Sequence, residues 1–226
     1  AALILGAIEG FTEFLPVSST GHLILAGDLL GFQTELGKLF EIVIQLGAIL
    51  AVVVFFFPRL WAVLTGLPVD PGARRFAWAV ILAFLPAAVL GALLHNFIKT
   101  VLFSPVVVVT TLVLGGIAIL LIERLAPRPR YGAVEALPMT TALGIGFCQT
   151  VAMIPGVSRA GATILGAELL GVDRRVATDF SFYLAIPTML GATVFDLWKT
   201  RSALTEGGID LIAIGFVTAF VVAIPV

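Results

Sequence analysis

The fold is decided by two prolyl breaks, PVSS at 16–19 and PGVS at 155–158. Each break separates two short apolar runs, within residues 1–31 and within residues 138–171. Each run holds roughly 12–16 residues, or about 18–24 Å of helix, which is too short to cross a hydrocarbon core about 30 Å thick. Such pairs predict re-entrant hairpins, which a membrane tolerates only where protein or water covers the broken backbone.

The composition around these breaks is that of a polytopic membrane protein. Of the 226 residues, 60% are hydrophobic and 12% are charged, whereas a soluble domain carries about 25% charged residues. This composition excludes a cytosolic globular enzyme and a disordered chain. At about 20 apolar residues per crossing, the chain has enough for about six or seven crossings. The net charge of −1 leaves no basic surface for nucleic acid, and the single cysteine, Cys148, excludes an intrachain disulfide.

Four further apolar stretches are predicted to cross the membrane, residues 39–57, 76–94, 101–122 and 178–197. A fifth is expected from Ile209 to the end of the chain. We expect the protein to extend beyond both ends, because the chain begins without an initiator methionine and stops inside an apolar run.

Arginines predict the orientation of these spans. The predicted loops 58–75 and 123–137 each carry three arginines, and two spans separate them. Both loops therefore lie on one side, which is the cytoplasmic side by the positive-inside rule. Residues 173–175 return to that side with two more arginines, and the exceptions left on the outer side are Lys199 and Arg201.

The two broken segments also resemble each other, since the breaks align and Leu-Leu-Gly follows at 29–31 and again at 169–171. Three predicted crossings lie between the copies, so the second copy is inverted. The sequence thus predicts an all-α membrane protein with one transmembrane domain, 1–226, built of inverted-topology repeats. Each repeat, about 1–122 and about 138–226, is a re-entrant hairpin followed by transmembrane helices. A chance match is the alternative, because the aligned stretches are short.

The first hairpin carries two carboxylates, Glu9 and Glu13, one helical turn apart on one face. Placing each at membrane depth costs about 2.5–3.5 kcal/mol, and like charges at this spacing repel. A divalent cation would offset both costs, because Mg²⁺ and Ca²⁺ prefer oxygen ligands. The alternative is a pair of interfacial glutamates with an ion-pair partner such as Arg159.

Hydroxyl side chains follow the first break at Ser18, Ser19 and Thr20, with His22 one turn further on. A serine here is a natural N-cap, and the restarted helix presents free N–H groups that favour an anion. A hydroxyl near an imidazole supports nucleophilic or general-base chemistry. The alternative is a capped helix without chemistry. His95, which lacks such neighbours, is interpreted as structural.

The second hairpin supplies Ser158, Arg159 and Thr163. A guanidinium binds phosphate oxygens through paired N–H groups and keeps its charge. Arg159 therefore binds an anionic substrate, neutralises Glu9 or Glu13, or does both. If the two tips meet, their combined groups suit phosphoryl transfer from a diphosphate.

At these motifs the chain resembles the bacterial undecaprenyl-diphosphate phosphatases of the bacitracin-resistance type. The matching stretches are 9–25 (EGFTEFLPVSSTGHLIL), 40–53 (FEIVIQLGAILAVV), 155–163 (PGVSRAGAT) and 179–192 (DFSFYLAIPTMLGA). The resemblance implies hydrolysis of undecaprenyl diphosphate to the monophosphate and inorganic phosphate, which recycles the lipid carrier of cell-wall polymers. It also implies an all-helical fold in the bacterial inner membrane, with the active site open to the periplasmic side.

The resemblance also implies roles for individual residues. Glu9 and Glu13 would bind a divalent cation, Mg²⁺ or Ca²⁺. The implied catalytic group consists of Glu13, Ser19, His22 and Arg159, and the implied substrate-binding group of Ser18, Thr20, Ser158, Arg159 and Thr163. The sequence departs from the family at Ala160, where a serine is usual. The resemblance also implies a further C-terminal span, which we expect beyond Val226.

Two questions stay open from the sequence. Ser19 is the preferred nucleophile, with His22 or a glutamate as base, and the alternatives are attack by His22 or by water held on the metal. A different class of function, a transporter of a lipid phosphate or an ion, also fits broken helices in inverted repeats. The expected partners are undecaprenyl diphosphate and membrane lipid, without nucleic acid, and the apolar outer faces permit a homodimer.

Overall fold

The computed structural model describes residues 1–32, 35–102, 104–200 and 209–226, and over these ranges the chain is helical without a strand. The predicted all-α class is confirmed. The helices are α1 (Ala2–Thr12), α2 (Ser19–Leu29), α3 (Glu35–Phe55), α4 (Phe57–Gly66), α5 (Pro71–Phe97), α6 (Pro105–Leu125), α7 (Met139–Thr150), α8 (Arg159–Leu169), α9 (Arg174–Thr200) and α10 (Ile209–Ala223). Shorter pieces are a π-helix, Ile98–Leu102, and the 3₁₀ turns Val134–Ala136 and Val151–Met153.

Both predicted breaks separate two short helices that pack on each other, α1 on α2 and α7 on α8. Serine side chains begin the second helix of each pair. Ser18 Oγ accepts a hydrogen bond from the Gly21 N–H at 3.3 Å, and Ser158 Oγ accepts one from the Gly161 N–H at 3.1 Å. These bonds satisfy N–H groups that a helix start leaves without partners. The predicted serine caps are confirmed.

The first helix of each hairpin packs against a helix from the other half of the chain, α1 against α10 and α7 against α5. Glycines allow the close approach. A Cβ on Gly6 would lie 2.6 Å from the Gly215 carbonyl oxygen, and one on Gly146 would lie 2.3 Å from the Ala83 carbonyl oxygen. Helix α9 lies between α3, α5 and α8, and its residues Phe180 and Leu184 are fully buried. Helix α9 thereby joins α8 of the second hairpin to α3 and α5.

Two described helices, α5 and α6, are long and apolar enough to cross a membrane. The bent pair α3 and α4 qualifies as a third span if its 71° bend is disregarded. Helix α9 is as long as α5, but it is less apolar because its buried faces carry polar groups such as Ser181 and Thr193. The predicted stretches 178–197 and 209 onward are thus helices, but their composition alone does not single them out as spans.

The predicted loop 58–75 is wrong over its first half, because residues 57–66 form α4. The bend follows Phe56, and Pro58 lies in the first turn, where a missing N–H costs nothing. Exposed Trp61 accompanies Arg59, whose guanidinium pairs with Glu135. An amphipathic helix of this kind lies in a polar–apolar interface. Arg201, one of the two basic residues predicted to be exceptions to the positive-inside rule, lies outside the described residues.

Candidate active site

The tips of the two hairpins are in contact. Ser158 Oγ donates a hydrogen bond to the Leu15 carbonyl oxygen at 3.2 Å, and Arg159 Nη2 donates one to Glu13 Oε1 at 3.0 Å. The arginine and glutamate side chains are only 13% and 8% exposed. The predicted meeting of the carboxylate and the guanidinium is confirmed.

Glu13 is shared between the two hairpins. Its Oε2 accepts a hydrogen bond from Ser19 Oγ in its own hairpin, while its Oε1 pairs with Arg159. Ser19 is buried and stands in the first turn of α2. A carboxylate bonded to a hydroxyl is placed to take its proton, so this contact has the geometry of a general base and a nucleophile.

Arg159 is fixed by contacts on several sides. Its Nη1 donates to the Ser181 carbonyl oxygen at 3.2 Å, and its Cζ lies 5.9 Å from the centre of the Phe14 ring. Thr163 supports this arrangement, because its hydroxyl lies 2.6 Å from Ser181 Oγ and 2.9 Å from the Arg159 carbonyl oxygen. The buried Arg159 Nε–H has no acceptor among the described residues. One N–H of the guanidinium therefore lacks an acceptor in the described part of the chain.

Glu9 is fully buried, and neither of its carboxylate oxygens has a hydrogen-bond partner in the described part of the chain. The charged groups that act on it are Glu13, Glu41 and Arg159. A buried carboxylate without a partner is costly, and a cation is one way to offset that cost. The oxygen donors of Glu9 and Glu13 fit Mg²⁺ or Ca²⁺.

Protein ligands alone do not complete such a metal site. Within the ranges that the structure describes, no three His, Cys, Asp or Glu side chains are grouped closely enough to hold a metal. Magnesium sites commonly use one or two carboxylates together with water and substrate phosphates. The donor set therefore suits a cation that binds together with a phosphorylated substrate.

A polar cavity of about 220 Å³ opens at the junction of the tips. Six of the predicted site residues line it, namely Glu13, Ser18, Ser19, Thr20, Ser158 and Arg159. Beside it lies an apolar cavity of about 410 Å³ between α5, α9 and the second break. The two cavities share four lining residues, Ala152, Arg159, Thr188 and Ala192. A polar chamber for an anion thus adjoins an apolar chamber.

The remaining predicted residues lie elsewhere. His22 is exposed, does not line the polar cavity, and its Nδ1–H donates to the Ser18 carbonyl oxygen at 2.8 Å. Thr163 is fully buried behind Arg159. His95 Nδ1 lies 4.0 Å from Asp196 Oδ1 at the apolar cavity. Ala160 is fully buried and outside the lining, so its missing hydroxyl removes no cavity contact.

Sequence reasoning did not assign a role to several residues of the site. Gln45 lines the polar cavity, Ser181 fixes Arg159, and Thr188 lines both cavities. A signal was present for each. Gln45 is a polar residue in the apolar stretch 39–57, and the other two lie in the matched stretch 179–192.

The chain is similar to known proteins over its whole length. The family model described as bacitracin resistance protein BacA matches residues 2–226. An undecaprenyl-diphosphatase from Cereibacter sphaeroides is 55% identical over 224 residues, which are 99% of this chain and 83% of that relative. The undecaprenyl-diphosphatase 2 of Paramagnetospirillum magneticum is 57% identical over 225 residues, 100% of this chain and 86% of the relative. The undecaprenyl-diphosphatase of Paracoccus denitrificans is 54% identical over 226 residues, which are 100% of this chain and 84% of that relative.

Proposed function

The chain belongs to the family of the bacitracin resistance protein BacA, and from this premise we propose that it is an undecaprenyl-diphosphatase that acts where its hairpin tips meet. Its reaction is the hydrolysis of undecaprenyl diphosphate to undecaprenyl phosphate and inorganic phosphate, which returns the lipid carrier to cell-wall synthesis. The observation that carries the proposal is Glu13, held in one buried cavity between the hydroxyl of Ser19 and the guanidinium of Arg159.

The first step is attack by Ser19. Glu13 takes the hydroxyl proton, and Ser19 Oγ forms a bond to the terminal phosphorus. The bond from that phosphorus to the bridging oxygen breaks, and its electron pair stays on the lipid monophosphate. Arg159 stabilises the charge on the phosphoryl oxygens, as a fixed cation does in other phosphoryl transfers.

In the second step water attacks the phosphoserine. Glu13 first gives up its proton to the leaving lipid phosphate and then takes a proton from the attacking water. The water oxygen bonds to phosphorus, the bond from phosphorus to Ser19 Oγ breaks, and Glu13 passes its proton to Ser19 Oγ as inorganic phosphate leaves. The placement of His22 outside the polar cavity favours Glu13 over His22 as the base.

A divalent cation is part of the proposal. Glu9 and Glu13 would hold Mg²⁺ or Ca²⁺, and when bound the ion would neutralise charge on the diphosphate oxygens. The buried, unpartnered carboxylate of Glu9 is the observation that supports it.

The proposal extends to the arrangement in the membrane, with two inverted repeats in one transmembrane domain and each hairpin re-entrant. Three matched features support this arrangement. In both hairpins a serine caps the second helix, and a glycine at positive φ follows that helix, Gly31 at 64° and Gly171 at 82°. The first helix of each hairpin also packs on a helix of the other half of the chain, α1 on α10 and α7 on α5.

We also propose that the protein lies in the bacterial inner membrane with its cavities open to the periplasmic side. The arginine-rich ends of α5 and α9 would face the cytoplasm. The apolar cavity reaches His95 and Asp196, which lie near the opposite ends of these two helices. The exposed apolar face of α6 permits a homodimer in the membrane.

A detergent assay tests the activity. Purified protein in detergent is given undecaprenyl diphosphate, and released inorganic phosphate is measured. We expect release, because the hydrolysis needs no compartments. A transporter would release no phosphate in detergent and would instead carry the intact diphosphate across proteoliposomes.

A second experiment identifies the attacking group. Undecaprenyl diphosphate labelled on its terminal phosphate is added, and the reaction is quenched within one turnover in denaturant at mildly alkaline pH, where phosphoserine and phosphohistidine both survive. The labelled peptide is then sequenced. We expect phosphate on Ser19. Label on His22, or single-turnover incorporation of solvent oxygen without any phosphoenzyme, would overturn the serine mechanism.

A further inference from the structure

A buried amide and a hydroxyl meet where the two cavities join. Gln149, in the last turns of α7, is 2% exposed, and its Nε2 donates to Thr188 Oγ1 of α9 at 3.2 Å. Gln149 lines the apolar cavity, whereas Thr188 lines both cavities. Neither residue has a part in the hydrolysis as described above.

The orientation of this pair leaves a donor free. Thr188 Oγ1 donates to the Leu184 carbonyl oxygen at 2.7 Å, so it accepts the bond from Gln149. An amide nitrogen carries two N–H groups, and the second one on Gln149 has no acceptor among the described residues. A polar group placed in an apolar wall costs free energy unless it is hydrogen-bonded. The second N–H is therefore available for a ligand.

Arg159 carries a second N–H without an acceptor. It lines both cavities, and its buried Nε–H has no acceptor within the described ranges. Its Nη groups are engaged by Glu13 and by the Ser181 carbonyl oxygen. Two unused N–H donors thus lie along the boundary between a polar and an apolar chamber.

The chemistry of the proposed substrate fits this boundary. The terminal phosphate must lie near Ser19 in the polar cavity, and the isoprenoid chain requires an apolar space. The phosphate that joins them lies between the two. We propose that Gln149, held by Thr188, and Arg159 Nε bind the lipid-linked phosphate, with the first isoprenoid units in the apolar cavity. This inference rests on the proposed function and adds the site of the leaving group.

The inference has a kinetic consequence. The lipid-linked phosphate gains negative charge when the anhydride bond breaks, so donors placed on it stabilise the transition state and also the monophosphate product. The product should therefore inhibit the enzyme through contacts that inorganic phosphate does not make.

The test compares two inhibitors, farnesyl monophosphate and inorganic phosphate, on protein in detergent. In Thr188→Val and Gln149→Leu, the inhibition constant of farnesyl monophosphate should rise about tenfold, the effect of losing one hydrogen bond to a charged group. The constant of inorganic phosphate should stay within about twofold. Gln149→Glu keeps the shape of the side chain but adds a like charge, and it should weaken monophosphate inhibition still further.

Thr193→Val is the matched control. Thr193 lies on the same helix as Thr188, is buried to the same extent as Gln149 at 2% exposure, and lines neither cavity. It should change neither constant. Thermal unfolding in detergent checks that each variant is folded, and a misfolded Gln149→Leu leaves Thr188→Val and Gln149→Glu to decide.

Three results would overturn the subsite: unchanged monophosphate inhibition in folded variants, an equal rise in both constants, or the same rise in Thr193→Val. Failure of the proposed function has a different signature. In that case the unmodified protein releases no phosphate, while binding of radiolabelled farnesyl monophosphate still reports on the subsite.

Discussion

Replacement of Arg159 by lysine separates the charge of the guanidinium from its shape. Lysine keeps the positive charge, and its ammonium reaches Glu13 as a single point of contact. It does not also hold the Ser181 carbonyl oxygen, which Arg159 Nη1 contacts at 3.2 Å. It also lacks the Nε–H that the structure leaves without an acceptor among the described residues.

The expected loss follows from these two donors. Hydrogen bonds that involve a charged group contribute about 1.5–3 kcal/mol each, so losing two costs about 3–6 kcal/mol. At about 1.4 kcal/mol per factor of ten, kcat/KM should fall by about two to four orders of magnitude. Protein stability should change less, because lysine leaves the charge of Glu13 paired.

The assay is phosphate release in detergent over a range of undecaprenyl diphosphate concentrations, with thermal unfolding measured in parallel. Arg174→Lys is the matched control. Arg174 pairs with Glu123 at 3.0 Å, but its side chain is 66% exposed, and exposed pairs contribute about 0–1 kcal/mol. Its variant should stay close to the unmodified enzyme. An Arg159→Lys protein within about threefold of the unmodified one would show that charge alone suffices and that the fixed planar group has no part in the reaction.

Three further outcomes are expected. Ser19→Ala should lower phosphate release by at least about a thousandfold, as losing a covalent nucleophile does, while lipid diphosphate still binds; near-normal release would remove Ser19 from the role. Chelation by EDTA should abolish activity, and added Mg²⁺ or Ca²⁺ should restore it. Glu9→Gln should raise the metal concentration needed for half-activation about tenfold. Full activity in the chelator would argue against a metal at this site. Gly156→Ala should lower the unfolding temperature strongly, because φ is +90° there and the new Cβ would lie 2.1 Å from Thr111 Oγ1. The control Gly132→Ala, with nothing within 4 Å of the new Cβ, should leave the unfolding temperature unchanged. Equal unfolding temperatures for the two variants would contradict the packing at Gly156.

The hairpins and their meeting were predictable because local chemistry specifies them. A proline forbids the helix at the break, and a serine three residues before a glycine caps the next one, as at Ser18 and Ser158. The cost of isolated charge at membrane depth then requires Glu13 and Arg159 to find each other. That requirement depends only on residue type and burial, and both are readable from sequence.

The remaining features depend on contacts between distant segments. The i,i+4 spacing places His22 one turn from Ser18, but the imidazole is satisfied by the Ser18 carbonyl oxygen and points away from the polar cavity. The sequence predicts a loop over α4 because Pro58 and Arg59 lie in it, and only the 71° bend after α3 reveals its course. The role of Thr188 arises solely from where α9 packs.

The caps of the two hairpins differ in backbone conformation. Both serines accept a hydrogen bond from the N–H three residues ahead, yet Ser18 has φ of 61° whereas Ser158 has φ of −68°. The cap therefore does not require the left-handed conformation, which costs about 1–2 kcal/mol in a residue other than glycine. The strained copy is the one that directly precedes Ser19, whose hydroxyl turns back to Glu13. Strain of this kind persists where the surrounding structure imposes it, and it concentrates at sites of chemistry. In this protein it lies in the hairpin that carries Ser19, Glu9 and Glu13, while the relaxed hairpin supplies Arg159, whose long side chain reaches Glu13 without a distorted backbone.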